Sequence, residues 1–197
     1  MASDPKSERI IMGIDPGTNL TGYGVIRGQG NRMALINYGV IDMRRIKNDH
    51  GLKLKKIFER TLSLIEEFLP DEMAIEAPFH GKNVQSMLKL GRAQGVAMAA
   101  ALYRDIPIVE YAPKKVKMSI TGSGSASKEQ VKAMLEKILK FELDLKKGTL
   151  DASDGLAVAV CHFLQKGVPS HGGGNSSKSK KGGGWAAFVK NNPDRLK

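Results

Sequence analysis

At 197 residues, 41% of them hydrophobic, the chain has material for one globular domain with a buried core. Its 31 Lys and Arg against 20 Asp and Glu give a formal charge of +11, which points to a polyanionic partner, nucleic acid first. A single cysteine excludes an internal disulfide and a cysteine zinc cluster, and no stretch is apolar over the length of a bilayer, so a cytoplasmic protein away from membranes is expected.

Residues 1–8 are polar and read as a flexible N-terminus. Ile10-Ile11-Met12-Gly13-Ile14 then reads as a buried strand that stops at Asp15, where Pro16 and Gly17 punctuate a turn. A carboxylate in that position either caps its own turn or faces a site at the sheet edge. Gly22–Ile26 and Met33–Ile41 read as two further strands, separated by Gly28-Gln29-Gly30-Asn31, and short connections make the first three strands an antiparallel meander. From Leu52 to Leu69 apolar residues recur at helical spacing, and Pro70 stops the helix. Lys53, Lys55 and Lys56 at its opening read as a solvated face.

Met73-Ala74-Ile75-Glu76 repeats the first pattern, a short strand ending in an acid, followed by Pro78 and Phe79. Asn83–Arg104 reads as a helix rich in small residues, with Gly91 and Gly95 one turn apart; glycine there costs about 1 kcal/mol relative to alanine. Close packing against the sheet or against a second subunit would justify that cost. Pro107–Tyr111 is a fifth strand, and a short helical turn carrying Lys114, Lys115 and Lys117 follows. Ser127 and Gln130 form a capping box for a helix over 128–140. A last helix begins near Asp151, contains Cys161 as a small buried hydrophobe, and runs to about Lys166. His80 and His162 are read as non-ligands. The compact domain thus spans 9–167, and 168–197 is a basic Gly/Ser/Lys-rich tail, largely disordered, whose Trp185–Val189 segment is either a docking piece or a weak helix.

The order β-β-β-α-β-α-β-α-α gives an α/β fold, a mixed five-stranded sheet with helices on its faces. If the strand ending at Glu76 lies parallel beside the strand ending at Asp15, both acids emerge at one rim. Asp151 and Asp154, three residues apart, share one face of the last helix. A convergence of four acids requires raised pKa values or bound cations, and oxygen-only donors favour a hard ion, Mg²⁺ or Mn²⁺. Two such ions about 4 Å apart activate water and stabilise a leaving oxygen at phosphorus.

Gly13-Ile14-Asp15-Pro16-Gly17-Thr18, Thr21-Gly22-Tyr23-Gly24, Ile75-Glu76, Lys82-Asn83, Leu88-Lys89-Leu90-Gly91, Tyr111-Ala112, Val116-Lys117 and Asp151-Ala152-Ser153-Asp154 together resemble, in order, the RuvC family of Holliday junction endonucleases, over residues 9–166. The resemblance implies an RNase H-like fold, a homodimer, and Mg²⁺-dependent paired nicking of four-way DNA junctions that leaves 5′-phosphate and 3′-hydroxyl ends. It makes Asp15, Glu76, Asp151 and Asp154 the catalytic metal ligands and Phe79, Lys117 and Lys128 the DNA contacts. It also implies RuvA and RuvB as branch-migration partners. Two other readings compete. An actin-like ATPase would need a duplicated domain with a second phosphate loop, for which the chain is too short. Against an RNA-processing or purely binding relative stands the full set of four acids together with Phe79, since a non-cleaving module would have no use for both Asp151 and Asp154.

Overall fold

The computed structural model describes residues 8–78, 83–142 and 150–167. The N-terminal segment 1–7, Phe79 and the tail 168–197 with Trp185 lie outside the described residues. The elements are β1 (Glu8–Asp15), β2 (Leu20–Gln29), β3 (Arg32–Asp42), α1 (His50–Phe68), β4 (Glu72–Glu76), α2 (Val84–Leu102), β5 (Ile108–Tyr111), α3 (Pro113–Thr121), α4 (Lys128–Leu139) and α5 (Leu150–Gly167). This is the order expected from the sequence, with α3 a full helix where only a turn was expected.

The strands form one sheet in the order β3-β2-β1-β4-β5. β1, β2 and β3 pair antiparallel, while β4 and β5 run parallel to β1. Ile14 pairs with Ile75, so the next residues, Asp15 and Glu76, come level at the C-terminal edge of two parallel neighbours. The period of two along a strand does the rest. Met12, Ile14, Met73 and Ile75 belong to the core under α1 and α2, whereas Ile11 and Ala74 belong to the core under α3, α4 and α5. Asp15 and Glu76 share the second parity, which directs both toward α5.

Local chemistry fixes the helix ends. Asp49 caps α1, its Oδ1 accepting the Leu52 N–H at 2.8 Å, and α1 terminates at Leu69 in a left-handed conformation (φ 47°) just before Pro70. Ser127 and Gln130 cap α4 reciprocally, as the sequence pattern requires. α5 is sheathed in apolar contact: Leu156, Val158 and Val160 are fully buried, each contributing about 1.5 to 3 kcal/mol by leaving water.

What sets the height of α5 over the sheet is the absence of side chains. A Cβ on Gly22 would lie 1.9 Å from the Asp151 carbonyl oxygen, and one on Gly155 would lie 2.4 Å from the Gly22 carbonyl carbon. Helix backbone therefore rests directly on strand backbone beside the Asp15 edge. The other glycine pair behaves differently: Gly91 and Gly95 of α2 have open space where a Cβ would stand, so their expected packing partner is not the sheet.

Candidate active site

The turn after β1 is held by Thr21, fully buried, whose Oγ1 accepts the Gly17 N–H at 3.2 Å and donates to the Gly17 carbonyl at 3.0 Å. The Asp15 carboxylate is thus available at the sheet edge. Gln94 of α2 steadies the other acidic strand end: its amide donates to the Glu76 carbonyl oxygen at 3.4 Å and to Glu110 Oε2 at 2.8 Å. Across from them, α5 presents Asp151 from its first turn and Asp154 three residues on.

Lys128, the first residue of α4, reaches into this group. Its Nζ donates to Asp154 Oδ2 at 2.5 Å and approaches Asp151 Oδ1 at 3.4 Å. A cavity of about 120 Å³ is lined by Asp15, Glu76, Lys117, Lys128 and Asp154, with Pro113, Val116, Val131 and Ala157 as its apolar wall. A second, of about 110 Å³, continues from Asp15 and Glu76 over Pro16, Ala77, Pro78 and Leu90. All four acids and both lysines named from the sequence therefore meet at one edge of the sheet.

The electrostatics follow from crowding like charges in a partly dehydrated place. Burial pushes the Asp15 carboxyl well above the ordinary range, and Glu76 and Asp154 push it further, against the pull of Lys128. Glu76 is raised to about 7, by burial first and then by Asp154, with Lys128 and Lys117 opposing. Asp154 is raised by burial, and its hydrogen bond from Lys128 limits the shift. Burial works against the Lys128 ammonium, yet Asp154, Asp151 and Asp15 keep its pKa above the ordinary lysine value.

Among the described residues no three acid, His or Cys side chains are set as a closed cation cage, and the Lys128 ammonium pairs with both Asp151 and Asp154. The donor chemistry nonetheless fits a hard divalent ion: oxygen ligands only, crowded enough to need positive charge, with an ammonium already seated among them.

Residues 11–162 match the family model described as crossover junction endodeoxyribonuclease RuvC. The chain belongs to the RuvC family. The crossover junction endodeoxyribonuclease RuvC of Bacteroides fragilis is 60% identical over 193 residues, 98% of each chain. That of Cytophaga hutchinsonii is 59% identical over 196 residues, covering 99% of this chain and 92% of its own. Among solved structures, Thermus thermophilus RuvC in complex with a Holliday junction substrate superposes with a TM-score of 0.72 at 28% identity, covering 80% of this chain and 94% of that one. The RNase H-like architecture expected from the resemblance is the RuvC fold seen here, with helices on both faces of the sheet.

Gln94 carries no motif signal: it bonds the Glu76 carbonyl and the Glu110 carboxylate, partners that meet it only once the sheet is assembled. Thr21 stands in the Thr21-Gly22-Tyr23-Gly24 motif, and the structure shows it bonded to Gly17, four residues before it. His162, read as a non-ligand, is fully buried, with Nδ1 2.8 Å from the Tyr111 hydroxyl and Nε2 2.5 Å from Glu72 Oε2, so it ties α5 to β5 and β4. Cys161 is buried, as expected for a small hydrophobe. Lys53 and Lys56, read as a solvated face, are engaged: Lys53 donates to Asn19 Oδ1 at 2.7 Å and Lys56 to the Asp42 carbonyl at 2.8 Å. Among the described residues no helix is long and apolar enough to cross a membrane.

Proposed function

We propose that this protein resolves Holliday junctions by Mg²⁺-dependent hydrolysis of one phosphodiester per active site, with Asp15, Glu76, Asp151 and Asp154 as the catalytic metal ligands. The observation that carries the reading is the level pairing of Asp15 and Glu76 at the edge of two parallel strands, with the first turn of α5 held against them by glycine contacts. Mg²⁺, or Mn²⁺ in its place, supplies Lewis-acid activation of water and charge neutralisation at the phosphate.

The chain's own residues do the remaining work. Asp15 and Glu76 are rigid donors because each is the last residue of a buried strand. Asp151 and Asp154 are donors from one helix face. Lys128 neutralises the two helix acids in the absence of a cation and, released from them, is positioned to contact a non-bridging phosphate oxygen. Lys117, in the wall of the same cavity, adds a second positive charge near the scissile phosphate. Phe79, three residues beyond Glu76, is assigned to stacking on a base near the junction centre, a contact worth about 1 to 3 kcal/mol. In-line attack by water would expel the 3′-oxygen and leave a 5′-phosphate and a 3′-hydroxyl.

A four-way junction has two-fold symmetry, and paired nicks require two copies of the site, so we assign the active species as a homodimer. The unpartnered face of α2 supports this: Val84, Leu88 and Leu102 are 65, 50 and 61% exposed, and Gly91 and Gly95 between them leave room for the backbone of a second helix. RuvA and RuvB are the expected motor partners, and the cytoplasm the expected compartment.

The test is incubation of the purified protein with a labelled four-way junction and a matched linear duplex, in Mg²⁺ or in EDTA, for the wild type and Asp15→Asn. Paired nicks on the junction alone are expected with Mg²⁺, absent in EDTA, and at least about a thousandfold slower in the variant, about 4 kcal/mol of barrier. Cleavage of RNA, or nicking that persists in EDTA, overturns the reading.

A further inference from the structure

On the α1/α2 side of the same sheet edge lies a cleft of about 500 Å³ that the catalytic assignment does not use. Its lining comes from three places: Thr18 and Asn19 in the turn after Asp15, His50 and Lys53 in the first turn of α1, and Ser86 and Lys89 in the first turns of α2. The cleft is continuous in sequence with the acid site at two points, since Thr18 is three residues beyond Asp15 and Lys89 adjoins Leu90, which lines the cavity over Asp15 and Glu76.

Its charge is opposite to that of the acid site. Lys53 spends one of its three donors on Asn19, and Lys89 makes no ion pair among the described residues. One carboxylate also lines the cleft, that of Asp49, whose Oδ1 accepts the Leu52 N–H at 2.8 Å. Two ammonium groups, Lys53 and Lys89, against the single Asp49 carboxylate leave the lining net positive, with hydroxyl and amide groups beside them. Such a donor set suits a phosphate oxygen, and neither an apolar ligand nor a cation fits it.

We propose that this cleft is a second, non-catalytic phosphate-binding subsite, seating a backbone phosphodiester of the bound DNA strand to one side of the scissile phosphate. The assignment rests on the junction-cleaving reading above and deepens it. An acid cluster holds a phosphate poorly until cations arrive. A separate basic seat, built on the turn that carries Asp15 and on the opening turns of two helices, fixes where the strand lies relative to the acids. Strand position would then be set by one set of side chains and the chemistry by another.

The experiment measures junction affinity in EDTA across a salt series for the wild type, Lys53→Gln/Lys89→Gln and Lys53→Arg/Lys89→Arg, each checked for an unchanged unfolding midpoint. The glutamine pair is expected to lower the slope of log K against log salt by about two and to weaken binding at least about tenfold, uniformly across junction sequences. The arginine pair is expected to keep the wild-type slope. Where the double variant is unstable, Lys89→Gln alone is expected to lower the slope by about one.

Neutral methylphosphonates placed singly along the cleaved strand then locate the contact. One position away from the scissile phosphate should weaken the wild type and have no further effect on the glutamine pair. An unchanged slope in the glutamine variants, arginine variants as weak as glutamine ones, or no coupled position outside the scissile phosphate overturns the subsite. Failure of the wild type to prefer the junction over duplex overturns the parent reading instead, and is seen before any variant is compared.

Discussion

Glu76 concentrates the chemistry of the site at residue scale. Its pKa is raised to about 7 by burial and by Asp154, so the folded protein holds a proton on it that the unfolded chain releases near 4.5. A raised acid binds more protons folded than unfolded, and stability therefore falls as pH rises between those two values. Asp15 and Asp154, raised by the same causes, add in the same direction. Asp42 acts oppositely but lower down, because its hydrogen bonds with Arg44 hold its pKa below the ordinary range. In EDTA the unfolding midpoint is thus expected to decline from pH 4.5 to 7, and Glu76→Gln to flatten part of that decline. Added Mg²⁺ should reverse it by neutralising the ionised acids. Calorimetry over that range checks the sign, and a midpoint that rises with pH in EDTA contradicts the electrostatic account.

At the scale of the element, α5 acts as a carrier of two acids whose height is set by backbone contact. Gly155→Ala improves intrinsic helix propensity by up to about 1 kcal/mol, but its Cβ would meet the Gly22 carbonyl carbon at 2.4 Å and the Tyr23 amide nitrogen at the same distance. The clash wins, and a net loss of about 1 to 3 kcal/mol is expected from chemical denaturation, with weaker Mg²⁺ binding as Asp151 and Asp154 lift away from Asp15. Gly95→Ala makes a matched control in α2. With open space at its Cβ within one copy it is expected to leave the single-chain fold as stable or up to about 1 kcal/mol more so, while weakening the proposed dimer contact across α2. Glycines that look alike in the sequence therefore separate by what their missing side chains would touch.

For the whole molecule, the proposed homodimer would join two copies through one α2 face each. Leu88, half exposed on that face, is a position at which a charge would disrupt such a contact. Leu88→Glu is expected to shift the protein from dimer to monomer in light scattering at micromolar concentration. In the junction assay it should convert paired nicks to single ones without changing the fold reported by circular dichroism. A variant that stays dimeric and keeps paired nicking places the subunit contact elsewhere.

The sequence by itself determined the elements and the identities of the acids. Strand periodicity, Pro70 and the Ser127–Gln130 box carry local information, and local information is what a single segment holds. The strand-acid-proline pattern at Asp15 and Glu76 and the pair Asp151 and Asp154 were legible for the same reason, as were Lys117 and Lys128 through the resemblance. Tertiary structure alone decided how they meet. The Ile14–Ile75 register levels two strand ends from distant parts of the chain, and Gly22 against Gly155 sets the approach of α5. Lys128 lies between Asp151 and Asp154 through packing across 23 and 26 residues. Gln94 and His162 gave no signal because their work is hydrogen bonding to partners that only the assembled sheet supplies. The basic cleft by α1 and α2 was invisible for the same physical reason: scattered lysines become a seat only when three separate turns are brought to one edge.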